Sequence, residues 1–189
     1  MNPAAVRFNF SKTRILAIDD SPQGADILSQ ILVGFCVEQI TKAASAEEAK
    51  AKLVREEFNL IIADDKMPGP DGYSVIKAIR ADPKGINYTV PIMLASARPT
   101  KSNCLRARDA GANYVLAKPF VPSVVLSAIH LIASINREFV TSDNYRGPDR
   151  RFRIGPLPAG VQERRADELR LLQAPERAMS QDEVSALFG

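Results

Sequence analysis

Apolar and polar positions follow two rhythms along the first 137 residues. Five short runs of β-branched or aliphatic side chains stand out: RILAI (14–18), CVEQI (36–40), NLIIA (59–63), VPIML (90–94) and YVLA (114–117). Each has the length and composition of a strand. Between them lie stretches with helical spacing and start signals. Ser21-Pro22 offers an N-cap followed by proline at the first helical position. Ser45 and Glu48 make a capping box. The segment AEEAKAKLVREEF supplies strong helix formers, with Ala49, Leu53 and Phe58 for one face. Further helices are predicted over 72–81, 101–110 and 121–137. Strand–helix alternation at this spacing predicts an α/β fold, a doubly wound five-stranded parallel sheet with helices on both faces. The run LIIA is apolar on both sides, as a strand buried on two faces must be.

The pattern stops after about Glu138. Pro148, Pro156, Pro158 and Pro175, with Gly147, Gly155 and Gly160, work against any long regular element. An extended tail, disordered on its own, is expected over 139–165. Two short helical pieces follow, ADELRLLQA (166–174) and SQDEVSALF (180–188). The second opens on a capping box, Ser180 to Glu183, and aligns Val184, Leu187 and Phe188. The expected division is an N-terminal extension (1–11), the α/β domain (12–137), an arginine-rich tail (138–167) and a C-terminal segment with a short amphipathic helix (168–189).

A chain of 189 residues with 46% hydrophobic side chains can build one sound core with extensions. Cys36 and Cys104 make neither a metal-ligand nor a disulfide spacing, which suits a reducing compartment. The start, MNPAAVRFNFSKTR, has no apolar core behind a basic end and is not read as a signal peptide. The longest apolar run, 124–135, is interrupted by Ser127, His130 and Ser134 and is too short to span a bilayer. A cytoplasmic protein without membrane insertion is expected. The net charge of +3 conceals a cluster, since residues 144–165 hold six arginines against Asp149 and Glu163. No lysine follows Lys118, so every later cation is the planar guanidinium fork. His130, the one histidine, lies far in sequence from the acids and is read as a core-edge or surface residue and not a catalytic one.

In a doubly wound sheet the reactive crevice lies at the carboxyl ends of the strands. Asp19-Asp20 close the first run. Asp64 follows the third, then Asp65-Lys66-Met67-Pro68. Ala95-Ser96-Ala97 follow the fourth and Lys118-Pro119-Phe120 the fifth. Crowded carboxylates repel one another and recruit a cation. Hard oxygen ligands with open water positions suit Mg²⁺. A carboxylate beside such an ion can attack a phosphoryl group, whose oxygens need cations that the metal and Lys118 supply. Ser96 can donate a hydrogen bond to a phosphoryl oxygen. Asp65, directly after Asp64, is expected to face solvent, the alternative being an extra anion that slows the approach of a phosphodonor.

The motifs AIDDSP, IIADDKMPGPDG, LASA and AKPF, in that order, resemble the receiver domain of two-component response regulators, the CheY-like fold, over about residues 12–137. The resemblance implies Asp64 as phosphoacceptor. It implies Asp20, Asp64 and the backbone carbonyl of Lys66 as Mg²⁺ ligands, with Asp19 acting through metal-bound water. Ser96 becomes the switch hydroxyl, Lys118 the phosphate partner, and a histidine kinase the phosphodonor. Such a domain catalyses its own phosphorylation and dephosphorylation yet is not an enzyme by role. One position departs from the family pattern. Three residues before the lysine, where an aromatic is frequent, stands Val115, and Tyr114 lies on the opposite face of the strand.

The tail stretch NYRGPDRRFRIGP (144–156) has its own chemistry. Arg146 to Asp149 (RGPD) and Arg164 to Asp167 (RRAD) both fit R-x-x-D, and RGP…DRR is echoed by IGP…ERR. Two copies of a short unit suggest a ligand with two like halves. Guanine fits each half: its O6 and N7 match an Arg fork, its N1–H and N2–H₂ match a carboxylate. Arg150, Arg151, Arg153 and Arg165 remain for stacking or phosphate, and Phe152 for stacking. A receiver with this extension resembles the CheY-like cyclic di-GMP effector (Cle) family acting on flagellar motors. R-x-x-D is also similar to the inhibitory cyclic di-GMP site of diguanylate cyclases. MSQDEVSALF (179–188) resembles the peptide by which the flagellar switch protein FliM recruits a phosphorylated receiver. It could dock on this chain's own receiver, on another receiver, or on nothing. A separate DNA-binding domain is not expected in these 189 residues. Two alternatives stay open: a phosphorylation-driven regulator with a passive tail, and RNA binding through the tail, which Asp149 and Asp167 disfavour.

Overall fold

In the computed structural model the described residues are 10–134, 138–142, 144–150 and 178–188. Five parallel strands form one sheet: β1 (Arg14–Ile18), β2 (Gln39–Ala43), β3 (Leu60–Asp64), β4 (Ile92–Ser96) and β5 (Tyr114–Ala117), in the order β2-β1-β3-β4-β5. Helices α1 (Pro22–Gly34), α2 (Ala46–Arg55), α3 (Gly72–Ala81), α4 (Lys101–Ala110) and α5 (Pro122–Ser134) connect or follow them. Right-handed crossovers fix the layering. The connection through α1 moves one way along the sheet, and those through α2, α3 and α4 move the other. The chain therefore reverses between β1 and β3, and a crevice opens beyond their carboxyl ends. Every residue of the central strands β3 and β4 is buried, as their unbroken apolar runs require.

Side-chain caps set most helix starts. Ser21, Ser45, Asp71 and Thr100 each accept the backbone N–H three residues ahead. Glu48 also reaches back, to the Ala44 N–H at 2.7 Å. Strand β2 starts three residues later than the apolar run 36–40 suggests. That run is spent on ending α1: Cys36 takes a left-handed φ of 64° and the Val37 N–H bonds back to the Leu32 carbonyl.

The expectation of an extended, unfolded chain from 139 onward fails through residue 150. Strands β6 (Phe139–Thr141) and β7 (Arg146–Pro148) form an antiparallel hairpin. It is docked by Tyr145, whose ring is buried and whose hydroxyl donates to the Pro148 carbonyl at 2.6 Å. Gly147 lies against Gly111, close enough that an added Cβ would sit 2.8 Å from the Gly111 Cα. Beneath the hairpin is Arg80, buried with carbonyl oxygens as partners: Gly111 at 3.2 Å, Tyr88 at 2.5 Å and Val90 at 2.7 Å. Burial pulls its pKa down to about 10, which leaves it charged at neutral pH. The Phe139 ring covers its guanidinium at 5.3 Å. Sequence periodicity misses this hairpin because each strand has three residues.

The last helix, α6 (Gln181–Phe188), forms where the capping box places it. It packs on β5 and α4 with Val184 and Phe188 buried. The predicted pieces within 151–177 lie outside the described residues.

Candidate phosphoacceptor site

Sheet register brings the strand-end groups together. Ile18 pairs with Ala63, Asp64 with Ala95 and Ser96 with Ala117, so Asp19, Asp20, Asp64, Ser96 and Lys118 share one edge. Carboxylate oxygens of Asp19, Asp20 and Asp64 all lie within 4.8 Å of one another. Lys118 bridges two of them, its Nζ 2.9 Å from Asp19 Oδ2 and 2.9 Å from Asp64 Oδ1. Asp19 also accepts the Ser21 N–H at 2.9 Å. That bond ties the cluster to the start of α1.

Electrostatics follow from this crowding. Burial pushes the Asp64 carboxyl above the usual range. The Lys118 ammonium opposes that shift, while Asp19 and Asp65 add to it. Burial alone would weaken the Lys118 charge, but its bonds to Asp19 and Asp64 outweigh burial and its pKa rises. Asp64 is thus a carboxylate made more basic and held beside a firm cation. Three oxygen donors of one sign, one of them solvent-exposed at Asp20, fit a hard divalent ion with water in its remaining positions. Lys66 follows on the loop leaving β3, in the position the resemblance assigns to a carbonyl ligand.

Comparison with known proteins agrees. Residues 15–130 match the model of the response regulator receiver domain. The chain belongs to the response-regulator receiver family. It is 34% identical over 149 residues to the protein PetR of Rhodobacter capsulatus, covering 78% of this chain and 57% of PetR. This chain therefore spans little more than half the length of that relative. It is 30% identical over 121 residues to the "Probable chemotaxis protein CheY" of Rhizobium etli, covering 64% of this chain and 92% of that protein. Among solved structures it resembles the chemotaxis protein CheY4 of Vibrio cholerae, with TM-score 0.58 and 28% identity over 64% of this chain and 98% of that one. No helix among the described residues is long and apolar enough to cross a membrane.

One feature of this receiver differs from the sequence expectations, and a second was not anticipated by them. Asp65 does not face solvent. It is buried, and its Oδ2 accepts the Ser96 hydroxyl at 2.6 Å. The Ser96 oxygen in turn accepts the Arg98 N–H at 3.2 Å. Tyr73 lies in the same region with its hydroxyl buried and unbonded. Burial, then the Asp65 charge, pushes its pKa up to about 12. The second feature is the role of Tyr114. Its hydroxyl meets the Ser185 hydroxyl and accepts from Gln181 Nε2 at 3.1 Å, and its ring lies 5.9 Å from Phe188. Gln181 also bonds two backbone groups of β5. Its Oε1 accepts the Ala117 N–H at 2.7 Å, and its Nε2 donates to the Val115 carbonyl at 3.2 Å. Sequence reasoning missed Gln181, since one exposed-looking glutamine in a helical stretch gives no signal.

Of the tail residues, Arg146, Asp149 and Arg150 are described. Arg146 donates to the Ala81 carbonyl at 3.4 Å. The Asp149 N–H bonds the Glu138 carbonyl at 2.8 Å. Arg150 pairs with Asp109 at 2.8 Å and lies 3.9 Å above the Tyr145 ring. Arg151, Phe152, Arg153, Arg164, Arg165 and Asp167 lie outside the described residues. The hairpin adjoins Gly111 and Arg80, at the amino end of the sheet. The acids occupy the carboxyl end, roughly 15 Å away by the length of β5. A groove of about 830 Å³ between α2, α3 and the 82–88 loop contains none of the acids, and its Ala81 and Tyr88 touch the hairpin at Arg146 and Phe139.

Proposed function

We propose that the protein is a signalling effector with two inputs. A histidine kinase phosphorylates Asp64, and cyclic di-GMP binds the arginine-rich tail, with flagellar motility or attachment as output. The observation that carries the first input is Lys118 bridging Asp19 and Asp64 beside a third carboxylate. An Asp64 oxygen attacks the phosphorus of a phosphohistidine, and the phosphorus–nitrogen bond breaks with the imidazole as leaving group. Lys118 then shifts its ammonium toward a phosphoryl oxygen, and the Ser96 hydroxyl is the donor for another. Mg²⁺, when bound, would supply positive charge to offset the carboxylates and the incoming group. Asp20, Asp64 and the Lys66 carbonyl would hold it directly, and Asp19 through water.

The second input is supported by the repeated R-x-x-D and by an all-arginine set of cations after Lys118. Arg146 and Asp149 stand on the hairpin at the base of this tail. The likeness to chemotaxis proteins supports the motility output. Phosphorylation is tested by mass spectrometry after incubation with acetyl phosphate and Mg²⁺. A single +80 Da adduct should form on the wild-type chain and be absent from Asp64→Asn.

A further inference from the structure

The Ser96 hydroxyl has one proton, and the structure assigns it a holder. Asp65 extends the β3 ladder by one bond, its N–H meeting the Ala95 carbonyl at 2.8 Å. Its side chain therefore leaves the sheet on the face opposite that of Asp64. There it accepts a hydrogen bond from the Ser96 hydroxyl at 2.6 Å while the Arg98 N–H donates to the serine oxygen. Both side chains are buried, Ser96 at 1% exposure and Asp65 at 5%, so water does not compete freely for the bond. A proton given to Asp65 Oδ2 is not available to a phosphoryl oxygen on Asp64.

We infer that Asp65 is a positioning residue that holds the Ser96 hydroxyl in the unphosphorylated arrangement and sets how readily the switch turns. The inference rests on Asp64 being the phosphoacceptor. A phosphoryl oxygen must win the serine proton from a carboxylate, and hydrogen bonds to charged groups are stronger than neutral ones. Asp65 does this work through Ser96 and touches no reacting atom. Its charge also opposes an arriving anion, but that effect does not need Ser96, and the two contributions separate in a mutant cycle.

The experiment is a calorimetric titration with beryllofluoride and Mg²⁺, a phosphoaspartate mimic, on wild type, Asp65→Ala, Ser96→Ala and the double variant. Removing Asp65 should tighten binding about tenfold or more when Ser96 is present. The gain should shrink to the smaller charge effect in the Ser96→Ala background. Asp65→Asn, which keeps an oxygen acceptor without the charge, should fall between wild type and Asp65→Ala. It also serves as the cycle partner if the alanine variant does not fold. An equal gain in both backgrounds, or none in either, overturns the role of Asp65 while leaving the phosphoacceptor reading intact. A wild-type chain that does not bind the mimic overturns both.

Discussion

At the scale of single residues the site is a balance between crowded anions and one cation. Lys118→Ala should leave Asp19, Asp20 and Asp64 facing one another uncompensated. Thermal unfolding at neutral pH should show a loss of about 1–3 kcal/mol, and added Mg²⁺ should restore more stability to this variant than to wild type. Asp71 gives a second test. It caps α3 by accepting the Ser74 N–H at 2.8 Å and pairs with Arg106 at 2.7 Å. Burial alone would raise its pKa, but the Ser74 bonds and then Arg106 outweigh burial and lower it. A depressed carboxylate stabilises the fold fully above its unfolded pKa and loses that contribution as pH falls through the folded one. Asp71→Ala should therefore cost about 1 kcal/mol in urea denaturation at pH 7 and much less once the pH has fallen through the lowered pKa. The identities of Asp19, Asp20, Asp64, Ser96 and Lys118 were legible in the sequence because strand-end position alone gathers them. The Ser96–Asp65 bond was not, because residue type does not say which face a residue takes just past a strand end.

At the scale of elements, the docked pieces beyond α5 distinguish this molecule from a bare receiver. Gly147 and Gly111 let two backbones meet where a side chain would collide. Gly147→Ala should destabilise the chain by about 1–3 kcal/mol, read by chemical denaturation. It should also expose Tyr145, seen as a change in tyrosine fluorescence. Helix α6 is held by Val184, Phe188 and the Gln181 amide on the β5 edge. Gln181→Ala should speed hydrogen exchange at the Ala117 amide by about tenfold while amides in β3 keep their protection. The five strands and helices α1 to α5 were readable because long periodic segments with caps announce themselves. The hairpin was not readable, since three-residue strands leave no period and Arg80 gains its role only through carbonyls brought from elsewhere in the chain. The helical nature of α6 was visible in its capping box, but its seat on β5 depends on edge groups that only the folded sheet presents.

At the scale of the whole molecule, the acids and the base of the arginine tail lie at opposite ends of one sheet. Helix α6 runs along β5 between those ends, from Pro99, whose carbonyl accepts the Met179 N–H, to Tyr114. In the proposed two-input reading, phosphorylation and nucleotide binding would take place at separate ends of this scaffold. The division of the chain follows from packing: a cut at 138 strips the cover from Arg80, whereas a cut after 150 keeps the hairpin and takes away α6, with Val184 and Phe188, from β5. The most direct test of the two-input account is calorimetric titration of cyclic di-GMP into the full chain, the Asp64→Asn variant and the chain ending at residue 150. The account predicts equal binding by the first two and at least about tenfold weaker binding by the third, which lacks Arg151, Arg153, Arg164, Arg165 and Asp167. Undiminished binding by the shortened chain, or no binding by the full one, would contradict it.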